Sequence, residues 1–295
     1  MRDVIIVGGS YAGMAAALQL LRARRSVMVV DAGLRRNRFA SRSHGFLGWD
    51  GVDPGRIAAE ARAQLAAYPT LDWVEDSVIT AVGRKDAFRV LLGDGSMHEA
   101  RRLVLATGVR DELPALPGLA ERWGRSVLQC PYCHGYELNR GRIGVIATAP
   151  SSVSQAVLLK EWGRVTLLAN GAMTADAATR QGLASRQIGL EEVPLAAIEG
   201  EAVAVLADGR RLEFDAIFTA LRFGPASALA TEMGCQTREV PMGVLVTVSD
   251  SRETSVPGVF ACGDVMRLPH LVSVAVSEGA VTGGNVHRSL VFPGM

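Results

Sequence analysis

Val4-Ile5-Ile6-Val7 runs directly into Gly8-Gly9-Ser10-Tyr11-Ala12-Gly13, and no other junction in the chain restricts the fold as much. The four apolar, mostly β-branched residues predict a buried strand, and a helical pattern follows from Met14 to about Arg25. Val27-Met28-Val29-Val30 predicts a second buried strand, closed by Asp31. Strand, glycine turn, helix, strand and acid is the order of a dinucleotide-binding βαβ unit. Gly8 permits the tight turn, Gly13 lets the helix lie close to the strand, and the helix N-terminus, with Gly9 and Ala12 in the same turn, receives a pyrophosphate. Ser10 stands where the usual G-x-G-x-x-G carries its second glycine, a place where a small side chain is tolerated. Asp31 is spaced to accept hydrogen bonds from a ribose.

The rest of the chain up to Gly118 reads as one lobe. Residues 34–53 hold no clear helix or strand, and His44 at their centre is either a residue that approaches a cofactor or a surface histidine. Ile57 to about Ala67 predicts a helix; Trp73–Val82, Phe88–Leu92 and Arg102–Ala106 predict strands, with Gly93-Asp94-Gly95 as a hairpin turn. Ala106-Thr107-Gly108 ends that meander in small residues, which let backbone approach a bound cofactor.

A second copy of the architecture begins at Arg142. Strands are expected at Ile143–Ile146 and Val165–Leu168 around a helix over Ser151–Trp162, then a hairpin around Asp208-Gly209 and a strand at Ala216–Leu221. In this internal alignment Gly8 pairs with Ala147, Ser10 with Ala149, Gly13 with Ser152 and Asp31 with Asn170. Every glycine of the second fingerprint is gone, and Pro150 removes an N–H where phosphate would be cradled. The second lobe is expected to keep the fold without binding NAD(P)H well, or to bind it in an unusual way. The fold class is therefore α/β with two Rossmann-like, three-layer ββα dinucleotide-binding domains.

Between the two copies lies Cys130-Pro131-Tyr132-Cys133-His134-Gly135. A CxxC is a redox dithiol or half of a zinc site, and zinc needs two further ligands in register. Cys235 and Cys262 stand alone, so redox chemistry is favoured and no metal is expected. A net charge of +1 from 31 basic and 30 acidic residues gives no footprint for nucleic acid or an anionic membrane surface. No apolar run reaches the roughly 18 residues of a membrane span, and no signal-peptide pattern is present, which predicts a cytoplasmic protein.

Val256-Pro257-Gly258 leads to Cys262-Gly263-Asp264, and a helix is expected from about Val272 to Leu290. Together with Gly8 to Gly13, Ala106-Thr107-Gly108 and the CxxC, this order of motifs resembles the low-molecular-weight thioredoxin reductases over nearly the whole chain. The resemblance implies a discontinuous FAD-binding domain of residues 1–118 and 247–295, with Asp264 on the ribitol, Asp31 on the adenosine ribose, and Val78, Gly263 and Leu271 among the cofactor contacts. It implies a central domain of residues 119–246 that carries the dithiol and normally NADPH, and a homodimer. Three departures stand out. The central fingerprint is Ala147-Thr148-Ala149-Pro150-Ser151-Ser152, and Ala169-Asn170-Gly171 replaces the basic triplet that grips NADPH. His134 replaces the acid that follows the second cysteine. The Arg-Gln pair near the flavin is missing, with Pro269-His270-Leu271 in its neighbourhood. These features are more similar to the dithiol oxidases that close disulfides in small natural products such as gliotoxin and holomycin, where O2 resets the flavin.

The expected chemistry starts with a substrate thiolate attacking the Cys130–Cys133 disulfide at Cys130, with Cys133 passing the electron pair toward FAD. Only the thiolate is nucleophilic, so a base is needed, and His134 and His270 are the candidates; for each the alternative is an ordinary polar surface residue. Cys262 is expected to be packed beside its strand and Cys235 to be structural. Two competitors remain: an NAD(P)H-dependent disulfide reductase and a non-catalytic flavin redox sensor.

Overall fold

The structure, a computed structural model, describes residues 1–292. β1 (Arg2–Val7) leads through the glycine turn into α1 (Tyr11–Arg22) and β2 (Val27–Val30). α1 starts at Tyr11 rather than Met14, because the Met14 N–H already donates to the Ser10 carbonyl at 2.9 Å and makes Ser10 the N-cap. The long loop holds one 3-10 turn (Arg36–Phe39) before α2 (Pro54–Ala66). Asp53 caps α2 by accepting the Arg56 N–H at 2.8 Å, and Pro54 stands in the first turn, where its missing N–H costs nothing.

The strand expected over Trp73–Val82 is two strands. β3 (Leu71–Val74) runs parallel to β2 with Trp73 opposite Val29. The Asp76 carboxylate then takes the N–H groups of Ser77 and Asp94, at 2.7 and 2.9 Å, and the chain turns into β4 (Val78–Arg84). β4, β5 (Ala87–Leu92) and β6 (Met97–Leu105) form the antiparallel meander, and β7 (Val109–Glu112) follows.

Next come β8 (Val127–Leu128), α3 (Pro131–His134), β9 (Arg142–Ile146), α4 (Ser152–Leu159), β10 (Arg164–Leu168), α5 (Ala177–Ser185) and β11 (Gly189–Glu191). A three-stranded antiparallel sheet of β12 (Leu195–Glu199), β13 (Val203–Leu206) and β14 (Arg211–Glu213) precedes β15 (Ala216–Thr219). β16 (Arg222–Pro225), α6 (Leu229–Glu232), β17 (Thr237–Val240), β18 (Gly243–Val246), β19 (Val259–Ala261) and α7 (Val272–Val291) complete the described chain.

The first sheet has the order β3-β2-β1-β6-β5-β4, with β19 parallel to β6 where β5 has left it; the second has the order β11-β10-β9-β15-β8. Element for element, β3-β2-β1-β6 matches β11-β10-β9-β15, so the internal repeat is a repeat of topology. β1 is buried on both faces, as a strand in a covered parallel sheet must be. Val4 and Ile6 face α1, whereas Ile5 and Val7 face a second core with Phe88, Val90 and Leu92 of the meander. That is the three-layer ββα arrangement. α7 closes the helical layer so tightly that a Cβ on Gly279 would meet the Ala12 carbonyl oxygen at 2.1 Å, and one on Gly283 the Ala16 carbonyl oxygen at 2.5 Å.

Contacts divide the chain into two compact units. The first comprises residues 1–38, 46–110 and 223 onward; the second comprises 39–45 and 111–222. These boundaries differ from the expected 118 and 247. Leu113 and Leu116 pack on the core of the second unit, whereas Leu229, Ala230, Cys235 and Val246 are built into the core behind the first sheet. No helix among the described residues is long and apolar enough to cross a membrane.

Candidate functional site

In the first unit β1, β6 and β19 end side by side, with Val7, Leu105 and Ala261 in register. Their continuations are Gly8, Ala106-Thr107-Gly108 and Cys262-Gly263-Asp264, so three motifs far apart in sequence meet at one edge. From β1 the chain fills one side of the sheet with β2 and β3, and the other side of β1 is taken by β6 of the later meander, so the strand order reverses at β1, the switch point where open α/β sheets bind ligands. Gly8 has φ +105°, and a Cβ there would lie 2.3 Å from the Ala106 carbonyl oxygen; a Cβ on Gly13 would lie 1.8 Å from the Gly8 carbonyl oxygen. Only glycine fits at either place.

Asp31 ends β2 and accepts the Gly9 N–H at 3.2 Å, whereas Asp264 pairs with Arg36 at 3.3 Å. Gly263 rests on Ala12, where a Cβ would approach the alanine methyl to 2.7 Å. At the start of α1 only the Met14 N–H is returned to the preceding turn; the N–H groups of Tyr11, Ala12 and Gly13 find no acceptor among the described residues. Leu271 is the N-cap of α7, its carbonyl accepting the Ala275 N–H at 2.9 Å. Val78 begins β4 and packs against the core behind the sheet, which also holds Val7, Leu105 and Ala261.

The corresponding turn of the second unit is closed. The N–H groups of Ser152, Val153 and Ser154 donate to the carbonyls of Ala149, Pro150 and Ser151 at 3.0, 3.3 and 3.0 Å, and the Thr148 N–H donates to the Ser152 hydroxyl at 3.1 Å. Asn170, opposite Asp31 in the repeat, spends its side-chain oxygen on the Leu195 N–H at 2.9 Å.

Cys130 and Cys133 form a disulfide with Cα atoms 5.3 Å apart. Cys130 is the N-cap of α3, Pro131 fills its first position, and the Gly135 N–H closes the turn onto the Pro131 carbonyl at 2.7 Å. Gly135 is held against the Trp162 indole, which also receives Tyr132 edge-on at 5.3 Å between centroids. His134 is half-buried on the same turn. Burial lowers its pKa below the ordinary histidine value, the charge of His44 lowers it further, and Glu137 opposes both. His270 belongs to the first unit, with its ring edge-on to Phe223 at 4.6 Å. Cys235 and Cys262 are free and buried; burial pushes the Cys262 thiol up to about 12.

The sequence model of the family described as pyridine nucleotide-disulphide oxidoreductase matches residues 2–279. The chain belongs to that family. A thioredoxin reductase, tcpT, of Claviceps purpurea strain 20.1 is 33% identical over 303 residues, covering 95% of this chain and 92% of its own. The crystal structure of an oxidoreductase from Agrobacterium tumefaciens is similar at a TM-score of 0.96 and 48% identity, covering 99% of both chains. That of HlmI is similar at a TM-score of 0.90 and 34% identity, covering 98% of this chain and 92% of its own.

As a pyridine nucleotide-disulphide oxidoreductase the chain is a flavoprotein. The strand-end cluster fits such a cofactor: three N–H groups open at a helix N-terminus, two glycines where a Cβ cannot fit, and carboxylates at the ends of β2 and β19. Sequence reasoning missed one residue of this oxidoreductase and left another open. Trp73 lies so close to Gly9 that a Cβ there would meet the indole at 2.6 Å, which explains why Gly9 is glycine. His44, left open between two roles, stands beside Glu137 in the second unit. Neither carries a local pattern, since each is defined by a neighbour distant in sequence.

Proposed function

We propose that this chain is an FAD-dependent dithiol oxidase, taking electrons from a small-molecule dithiol through Cys130–Cys133 and delivering them to O2. The observation that carries this reading is the contrast between the two helix N-termini. Three N–H groups at α1 are open to a pyrophosphate, whereas those at α4 are bonded to their own turn. A lobe that holds NADPH weakly leaves substrate as the source of electrons.

In this reading a substrate thiol gives its proton to His134, and the thiolate attacks Cys130 Sγ. The Cys130–Cys133 bond breaks and its electron pair goes to Cys133. The second substrate thiol then attacks the mixed disulfide, releases Cys130, and leaves as a cyclic disulfide. Bound FAD would supply the acceptor for the electron pair of the reduced cysteines, with O2 as the final acceptor and peroxide as its product. Gly8, Gly9, Ser10, Ala12 and Gly13 would hold the pyrophosphate, Asp31 the adenosine ribose and Asp264 the ribitol. Val78, Ala106, Thr107, Gly108, Gly263 and Leu271 would be further cofactor contacts, and His270 would serve as a second proton carrier. The protein works as a cytoplasmic homodimer.

The relatives named thioredoxin reductases favour a second reading, an NAD(P)H-dependent disulfide reductase. Anaerobic stopped-flow separates the two. A simple dithiol is expected to bleach the flavin band, and NADPH and NADH to leave it; rapid bleaching near one equivalent of NADPH would defeat the oxidase reading.

A further inference from the structure

The short segment Phe39–Gly45 belongs to the second unit although both its flanks belong to the first. It is tied down by packing. Gly124 sits so close to Phe39 that an added Cβ would meet the Phe39 Cβ at 2.9 Å, and Ser43 is buried. His44 is thereby held with its Nδ1 3.5 Å from Glu137 Oε1, its side chain only 15% exposed against 44% for the carboxylate. Glu137 lies in the 3-10 turn (Tyr136–Leu138) that directly follows α3, so His44, remote in sequence, is paired with the turn three residues beyond His134. Their charges act on that imidazole in opposite senses, His44 favouring its neutral form and Glu137 its charged form. Tyr132, on the same turn, faces Trp162 instead.

We propose that His44 and Glu137, held 3.5 Å apart, are a positioning pair for the His134 base that keeps the His134 imidazole ready to accept a proton. The proposal rests on the reading of Cys130–Cys133 as the bond that substrate thiols attack, and it is independent of whether O2 or a nicotinamide completes the cycle. In the step concerned, the S–H proton moves to His134, the sulfur electron pair forms the bond to Cys130 Sγ, and the Cys130–Cys133 pair of electrons moves to Cys133 Sγ. A neutral His134 can take that proton, and a protonated one cannot.

The test combines two measurements on the holoenzyme over about pH 5 to 8, the range in which histidine titrates. NMR of carbon-13-labelled histidine follows the His134 titration, and anaerobic reduction by dithiothreitol gives a pH–rate profile. Wild type, His44→Gln, His44→Lys and Glu137→Gln are compared, each with its flavin content and melting temperature. In His44→Gln the His134 titration and the acid limb of the rate profile are expected to move together to higher pH, with a loss of rate that grows as the pH falls. His44→Lys, which keeps a cation beside Glu137, should hold both near their wild-type positions. Glu137→Gln should move both to lower pH. An unmoved His134 resonance in His44→Gln and Glu137→Gln proteins of native flavin content overturns the proposal. So does a moved resonance with an unmoved acid limb, since the pair would then act on a histidine that takes no substrate proton. A wild type that dithiothreitol does not reduce would remove the underlying reading of the disulfide, and is recognised by that failure alone.

Discussion

Cys262 is one residue from the Gly263-Asp264 turn yet is closed to chemistry. Burial, helped by Glu278, raises its thiol from 9.0 to about 12. The unfolded chain gives up this proton near pH 9, whereas the folded chain keeps it until about 12. The stabilisation is full below pH 9 and is lost as the pH rises toward 12, at ~1.4 kcal/mol per pH unit. Melting temperature measured against pH should therefore fall between pH 9 and 11, and the fall should flatten in Cys262→Ala; an identical slope in both proteins would assign it to other groups. Gly13 gives a second residue-level prediction. A Cβ placed 1.8 Å from the Gly8 carbonyl oxygen must push α1 off its turn, so Gly13→Ala is expected to lower the flavin-to-protein absorbance ratio sharply and to cost ~2 kcal/mol or more in a urea melt. Gly8, Gly13 and Asp31 were legible because their spacing is local. Trp73 was not, and the two readings of His44 stayed open, because what defines each is a partner on another element: Gly9 for the first, Glu137 for the second.

At the scale of elements, the two glycines of α7 that face α1 contrast with one that faces water. Gly279→Ala should destabilise by ~1–3 kcal/mol, as overpacking does, because Ala12 backbone stands 2.1 Å from the new methyl. Gly284 has nothing within 4 Å, so Gly284→Ala should stabilise the helix by ~0.5–1 kcal/mol. Opposite shifts of melting temperature from identical substitutions on one helix check the packing, and equal shifts would contradict it. The sequence pattern located most elements to within a turn, including β9, β10 and α7. It failed at Trp73–Val82, where only Glu75-Asp76-Ser77, with no glycine or proline, interrupts the apolar residues. There Asp76, by taking two N–H groups, separates a parallel strand from an antiparallel one. Periodicity cannot register such a turn, because the side chain that makes it replaces the glycine or proline normally read as punctuation.

For the whole molecule the prediction is catalytic. Aerobic turnover with a dithiol should yield about one peroxide per disulfide formed, as conservation of electrons requires, and Cys130→Ser or Cys133→Ser should abolish it. Arrest after a single turnover in air would instead favour a flavin sensor. The proposed homodimer should sediment at about twice 31.3 kDa. The order of the two lobes was visible in the repeat, because topology repeats even where the glycines do not. Their limits were less so: residues 223–246 follow the second lobe in sequence but fill the core behind the first sheet with Leu229, Cys235 and Val246.

The excursion at Phe39–Gly45 bears on how such a protein can be recombined. A graft of residues 111–222 onto a related scaffold would look like a clean exchange of modules, yet it would bring Glu137 and His134 to a host that supplies its own counterpart of His44. Chimeras of this enzyme are therefore best cut in four places, at 38/39, 45/46, 110/111 and 222/223, so that the small patch travels with the disulfide it adjoins.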